Sequence, residues 1–207
     1  MAFFSRGLAI GAVAAATALP AAAHASIEGS EGFLRGLSHP VLEPLQGLLC
    51  LTAGLLIGYC RRGDPRLYLG LYAGGACAGV LTLLSGLAAA ELKPLILLAL
   101  VLAVSLIVVV GGAPSRRVSL PLCFVCGLAG GVNAVSEAGP GQLVTSGGSV
   151  MGGLLVTLYV YGAADWVKER EIRFAWLRFA PRLVASWTSS IAILCITFLM
   201  TGDQGTI

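Results

Sequence analysis

Few side chains in this sequence could do chemistry, and the first three stand close together. His39, Glu43 and Gln46 open the stretch SHPVLEPLQGLLCLTAGLLIG, residues 38–58, which continues as a plain apolar run. A spacing of four puts His39 and Glu43 on one helix face. An imidazole and a carboxylate so placed are two metal ligands of the nitrogen and oxygen kind that nickel and cobalt accept, and Gln46 adds a neutral oxygen. Ionisable groups in a membrane segment are costly enough to mark a binding site by default. Pro40 and Pro44 interleave with the pair. A proline-interrupted entry can present backbone carbonyls, provided that it lines a cavity. The competing reading is an interfacial helix start whose polar side chains point to headgroups or water.

A second group lies further along. Cys123 and Cys126 form a C-x-x-C, and spacing of three sets both sulfurs on one helix face. Soft thiolates select Cu(I) or Zn. Free cysteine is also among the most buried residue types, so simple packing competes with metal binding. Asn133 follows, and Glu137 lies one turn beyond it, either as a polar mouth or as a solvated interfacial carboxylate. Glu91 and Lys93 sit in a turn. No G-x-S-x-G, H-E-x-x-H or phosphate loop occurs. Acid/base work would fall to His39 and Glu43 alone, and no pair of mature histidines could hold a haem. The chain does not read as an enzyme.

The elements that must position these residues are membrane helices. Of 207 residues, 57% are hydrophobic and 11% charged, against about a quarter charged in soluble domains. A single aqueous core cannot hide that much apolar surface, so the bilayer is the first partner. The net charge of +3 gathers in loops and not on one face, which argues against nucleic acid. The six cysteines fall in or beside apolar runs and do not form a disulfide framework.

The N-terminus reads as a secretory signal. MAFFSR supplies a short basic region, GLAIGAVAAATAL an apolar core of signal length, and Ala23-His24-Ala25 a small-x-small cleavage site after Pro20. Cleavage after Ala25 would give residues 1–25 as signal peptide and 26–207 as the mature domain. The alternative is a retained helix, although the run is shorter than the ~20 residues that a span needs.

Six apolar segments follow, at about 41–60, 67–90, 94–112, 118–137, 147–165 and 183–201. An exported N-terminus makes the first, third and fifth breaks cytoplasmic. These hold Arg61, Arg62, Arg66, Arg116, Arg117, Lys168, Arg170, Arg173, Arg178 and Arg182, whereas the opposite side keeps Arg35 and Lys93. Loop charge and signal thus agree on one orientation, with both mature termini periplasmic in a bacterial inner membrane. The fifth break, DWVKEREIRFAWLRF, is either a surface-lying amphipathic helix or the basic, aromatic ends of two spans. Glycines spaced by four at Gly70/Gly74, Gly75/Gly79, Gly127/Gly131 and Gly148/Gly152 let helix backbones approach closely.

The motif HP followed by a Leu-rich run and glycine resembles the first helix of the HupE/UreJ family. These are small membrane proteins associated with hydrogenases and ureases and regarded as nickel or cobalt permeases. The family pattern resembles H-P-x-x-G-x-D-H. Here His39 and Pro40 match, while Glu43, Leu45 and Gln46 stand at the Gly, Asp and second His positions. In the fourth span, a pattern similar to H-G-x-A-H-G-x-E becomes Cys126-Gly127-Leu128-Ala129-Gly130-Gly131-Val132-Asn133. Gly127, Ala129 and Gly131 remain, and both imidazoles and the carboxylate are gone. In the fifth span, Thr157 remains and Tyr161 takes a His position.

The resemblance implies an all-α, six-span bundle whose cargo, if retained, is a divalent metal such as nickel or cobalt. Two functions follow as expectations. One is a small-cation permease with a degenerate metal site, with His39, Glu43, Gln46 and Asn133 lining its periplasmic half. The other is a non-transporting structural or assembly subunit, with a membrane-protein partner or a second copy of itself. A working site would need His39, Glu43 and Asn133 to converge on one cavity in the outer half of the membrane.

Overall fold

Proline opens three of the helices, where its missing N–H costs nothing and its fixed φ is already helical. The computed structural model describes residues 32–59, 64–86, 94–111, 114–134, 141–171 and 175–202. The expected signal segment, residues 1–25, and Glu91, Lys93, Glu137 and the C-terminal residues from Asp203 lie outside the described residues. The helices are α1 (Phe33–Leu42), α2 (Pro44–Tyr59), α3 (Pro65–Leu84), α4 (Pro94–Val110), α5 (Arg116–Val132), α6 (Gln142–Glu171) and α7 (Ala180–Gly202), with a 3-10 turn over Ala175–Phe179. No strand occurs among the described residues. The Asp64 side chain caps α3 by accepting from the Arg66 N–H at 3.0 Å.

The expected first span is broken. α1 and α2 meet at 77°. Glu43 between them is extended, with φ −90° and ψ 107°, as the residue before a proline must be. Pro44 also has no N–H for the Pro40 carbonyl. Two backbone bonds still bridge the bend, Glu43 N–H to His39 O at 2.8 Å and Gly47 N–H to Glu43 O at 2.9 Å.

Helix α2 is the centre of the bundle, buried almost continuously from Leu49 to Gly58 except at Leu51. It packs on α6, α4 and α5, while α3 packs on α5, α1 on α6, and α4 on α7. Named contacts give the directions. Gly54 and Gly58 lie on Val160 and Ala164, so α2 and α6 are parallel. Tyr72 and Ala76 meet Gly127 and Gly131, so α3 and α5 are parallel. Ser105 meets Ser189 and Gly111 meets Arg182, so α4 and α7 are antiparallel. Leu45 shares a groove with Leu98, and Tyr59 reaches Gly111, so α2 and α4 are parallel.

Three helices, α3, α6 and α7, are long and apolar enough to cross a membrane, and the bent α1–α2 pair makes a fourth. Helices α4 and α5 are shorter, at 17 residues each. Val110, Leu194 and Phe198 are 81%, 72% and 77% exposed, an outer face that water would not tolerate but lipid would.

Glycine pairing differs from the expectation at one place. A Cβ at Gly75, Gly79, Gly127 or Gly131 would strike backbone of the facing helix, and Gly148 and Gly152 meet the Phe33 and Leu37 carbonyls in the same way. Gly70 and Gly74 face outward with nothing within 4 Å. They lie on the side of α3 turned away from α5. In the fifth break, residues 172–174 lie outside the described residues. α6 runs to Glu171, with the Arg170 guanidinium 4.1 Å from the Trp166 ring centre, and Arg178 stacks on Phe179 at 4.6 Å.

Candidate functional site

The last turn of α5 leaves carbonyls without helical partners, as every helix C-terminus does. Side chains from α1 and α2 supply the donors. His39 Nε2 lies 3.3 Å from the Asn133 carbonyl oxygen. A carbonyl only accepts, so Nε2 carries the proton. Gln46 Nε2 donates to the Gly130 carbonyl at 3.1 Å and faces Ser149 Oγ of α6 at 3.5 Å. Asn133 turns its own amide back along α5, donating to the Ala129 carbonyl at 2.8 Å.

Two of the three expected partners therefore meet, through a backbone atom. His39 and Asn133 are joined, but the Asn133 carboxamide is engaged on its own helix. Glu43 is half-buried at the bend, and among the described residues no hydrogen bond joins its side chain to His39 or Asn133. The reason is local: the extended backbone at residue 43 breaks the helical register that would have set Glu43 above His39.

Gln46 lies deeper than His39, at 4% exposure. One turn further along α2, the Cys50 thiol is 3.3 Å from the Tyr72 hydroxyl of α3. Gly153 makes room for both, since a Cβ there would stand 3.4 Å from the Tyr72 hydroxyl and 3.6 Å from the Cys50 sulfur. Ser149, Gly153 and Thr157 repeat every four residues and present one face of α6 to this seam. Ser119 donates to the Tyr68 hydroxyl at 3.2 Å between α5 and α3. The polar groups thus form a buried line among α2, α3, α5 and α6, from His39 inward.

Cys123 and Cys126 are fully buried in α5. Among the described residues no group of three or more His, Cys, Asp or Glu side chains could hold a metal ion. The residues that sequence reasoning missed are Cys50, Tyr72 and Ser149. A signal existed for Ser149, in the four-residue repeat of small and hydroxyl side chains along α6. Cys50 and Tyr72 resemble ordinary core residues until their helices are packed together.

At the other end of the bundle, three helices are pinned by one cation. Tyr59 donates to the Gly111 carbonyl at 2.7 Å, and Arg182 Nη2 donates to Tyr59 Oη at 3.1 Å and to the Gly111 carbonyl at 3.4 Å. Arg182 therefore ties the C-terminal ends of α2 and α4 to the start of α7, where a positive charge suits the helix dipoles.

No protein-family model, curated protein or solved structure matches the chain.

Proposed function

We propose that the protein is a HupE/UreJ-like integral inner-membrane protein, a small-cation permease scaffold whose nickel or cobalt site has lost most of its ligands. In this reading residues 1–25 are removed on export, the mature chain crosses the membrane six times, and both termini are periplasmic. The alternation of helix directions supports it: α2, α4 and α6 run one way, and α7 runs against them. The observation that carries it is the contact between Gln46 and Gly130. Both stand at positions where the resembling motifs place histidines, on helices 84 residues apart in sequence. His39 and Asn133, also at motif positions, meet beside them. Where two imidazoles would share a metal, an amide and a bare carbonyl now close on each other.

The test is uptake into proteoliposomes loaded with a metal-sensitive dye, with nickel, cobalt and monovalent cations offered in turn. Flux above protein-free vesicles supports the permease, and none for any cation removes it. The second reading, a non-transporting subunit or assembly factor, is favoured by the backbone contacts at Gly75, Gly79, Gly127 and Gly131, which leave no lumen between α3 and α5. Copurification of a stoichiometric membrane partner, together with absence of flux, would establish it.

A further inference from the structure

Arg182 is a half-buried cation whose bonds bring it no countercharge. Both leave from Nη2, at 3.1 Å to the Tyr59 hydroxyl and 3.4 Å to the Gly111 carbonyl, and both acceptors are neutral. Among the described residues no carboxylate pairs with it. Nε is buried without a partner, so that edge of the guanidinium has lost water and gained no bond. A cation drawn out of water is unfavourable unless an anion compensates it. An anion is what this end of the bundle lacks.

The same geometry sets the side from which an anion can come. A guanidinium has five N–H donors, and two of them are on Nη1. Nη1 makes no bond among the described residues and is not one of the buried unpartnered atoms, so it reaches the surface. That surface is apolar. Val110, next to Gly111, is 81% exposed, and Leu183 and Trp187 of α7 are exposed as well. Side chains of this kind face lipid and not a polar partner.

Depth agrees with this. The apolar stretch Trp176–Thr201 has 26 residues. At helical rise it is about 39 Å long, more than the ~30 Å hydrocarbon core, so its ends reach the headgroup layers. Arg182 stands about 9 Å from its start, near the level where lipid phosphates meet hydrocarbon. Tyr59 and Gly111 hold the guanidinium there, so it does not extend to water as a free arginine does. Arg66, Arg116, Arg117 and Arg178, all exposed, belong to the same basic end and draw anionic lipid towards it. We propose that Arg182 Nη1 binds the phosphate of an anionic membrane lipid beside Gly111, at the seam of α4 and α7. Charge-assisted bonds of this kind are about twice as strong as neutral ones. The inference needs a bilayer, but neither the permease nor its cargo.

The experiment follows thermal unfolding of the delipidated full chain in detergent micelles, with phosphatidylglycerol or phosphatidylcholine added at equal mole fraction. The expected result is a saturable rise in midpoint with phosphatidylglycerol. Phosphatidylcholine, whose phosphate is neutralised by its own choline, should not match it. Arg182→Gln removes the charge and should raise the half-saturating mole fraction about tenfold, the worth of one such bond. Arg182→Lys guards against a folding failure in that variant. It keeps the charge and part of the brace but lacks Nη1, so it should respond more weakly than the parent. Equal midpoints in the two lipids would overturn the proposal. So would an undiminished response in either variant, because the exposed arginines would then be enough. An equal rise with inorganic phosphate alone would remove the lipid from the site. A membrane protein that copurifies with the parent and is lost in Arg182→Gln would put a partner's carboxylate there, and would also overturn it.

Discussion

The imidazole of His39 closes the end of a helix 94 residues away, its Nε2 standing 3.3 Å from the carbonyl of Asn133. The contact makes His39 a donor to α5, with the proton on Nε2. His39→Ala should destabilise the fold by about 1 kcal/mol, the net worth of one such bond. His39→Gln, which can still donate, should recover part of it. Reversible unfolding in mixed detergent micelles gives the difference. Equal stability of His39→Ala and the parent would show that the contact contributes nothing.

The same residue decides the metal question. On the proposed HupE/UreJ-like reading, Gln46, Gly130, Asn133 and Tyr161 stand where the resembling motifs carry ligands, so nickel should bind weakly or not at all. Calorimetry on the purified protein measures this. Micromolar or tighter binding that disappears in His39→Ala would restore a divalent site and refute the degenerate reading.

Four glycines of one spacing should divide into two classes. Gly127→Ala and Gly131→Ala drive a methyl into the Tyr72 and Ala76 carbonyls, and each should cost about 1–3 kcal/mol through overpacking. Gly70→Ala and Gly74→Ala meet nothing and should be neutral or stabilising by up to about 1 kcal/mol, since alanine favours a helix. Unfolding midpoints of the four variants check the division. A similar loss at Gly70 or Gly74 would place a partner on that face.

The Arg182 brace predicts an order of damage at the other end. Gly111 has φ 80°, and a Cβ there would meet the Arg182 guanidinium. Gly111→Ala combines backbone strain with that clash, so it should exceed Tyr59→Phe, which removes bonds worth about 1–2 kcal/mol in all. Arg182→Lys should keep part of the brace, because both bonds come from the single nitrogen Nη2 and an ammonium can also donate to two oxygens. Reversal of the first two in unfolding experiments would mean that the brace is not what holds α2, α4 and α7 together.

Topology gives a test that no packing detail can disturb. Reporter fusions or cysteine labelling at Asp203 should find the C-terminus in the periplasm, and at Arg116 should find cytoplasm. A cytoplasmic Asp203 would remove the six-span arrangement.

Several features were legible from the chain alone because their causes are local. Hydropathy placed the starts of α2, α3, α4, α5 and α7 to within three residues, since helix hydrogen bonds close over four positions, but it missed α1 and set the ends of α3, α5 and α6 five or six residues off. Glycine spacing announced close approach. Polar residues at 39, 46 and 133 stood out against apolar surroundings. Tertiary structure decided the rest. Gly70/Gly74 and Gly75/Gly79 share one pattern on one helix, and only the position of α5 makes the second pair a contact and the first a bare outer face. His39 and Glu43 have the spacing of paired ligands, but a 77° bend at Pro44 separates them. Gln46 could have faced lipid, headgroup or core. It meets Gly130 because α2 lies at the centre of the bundle, and that placement depends on all the helices packing at once.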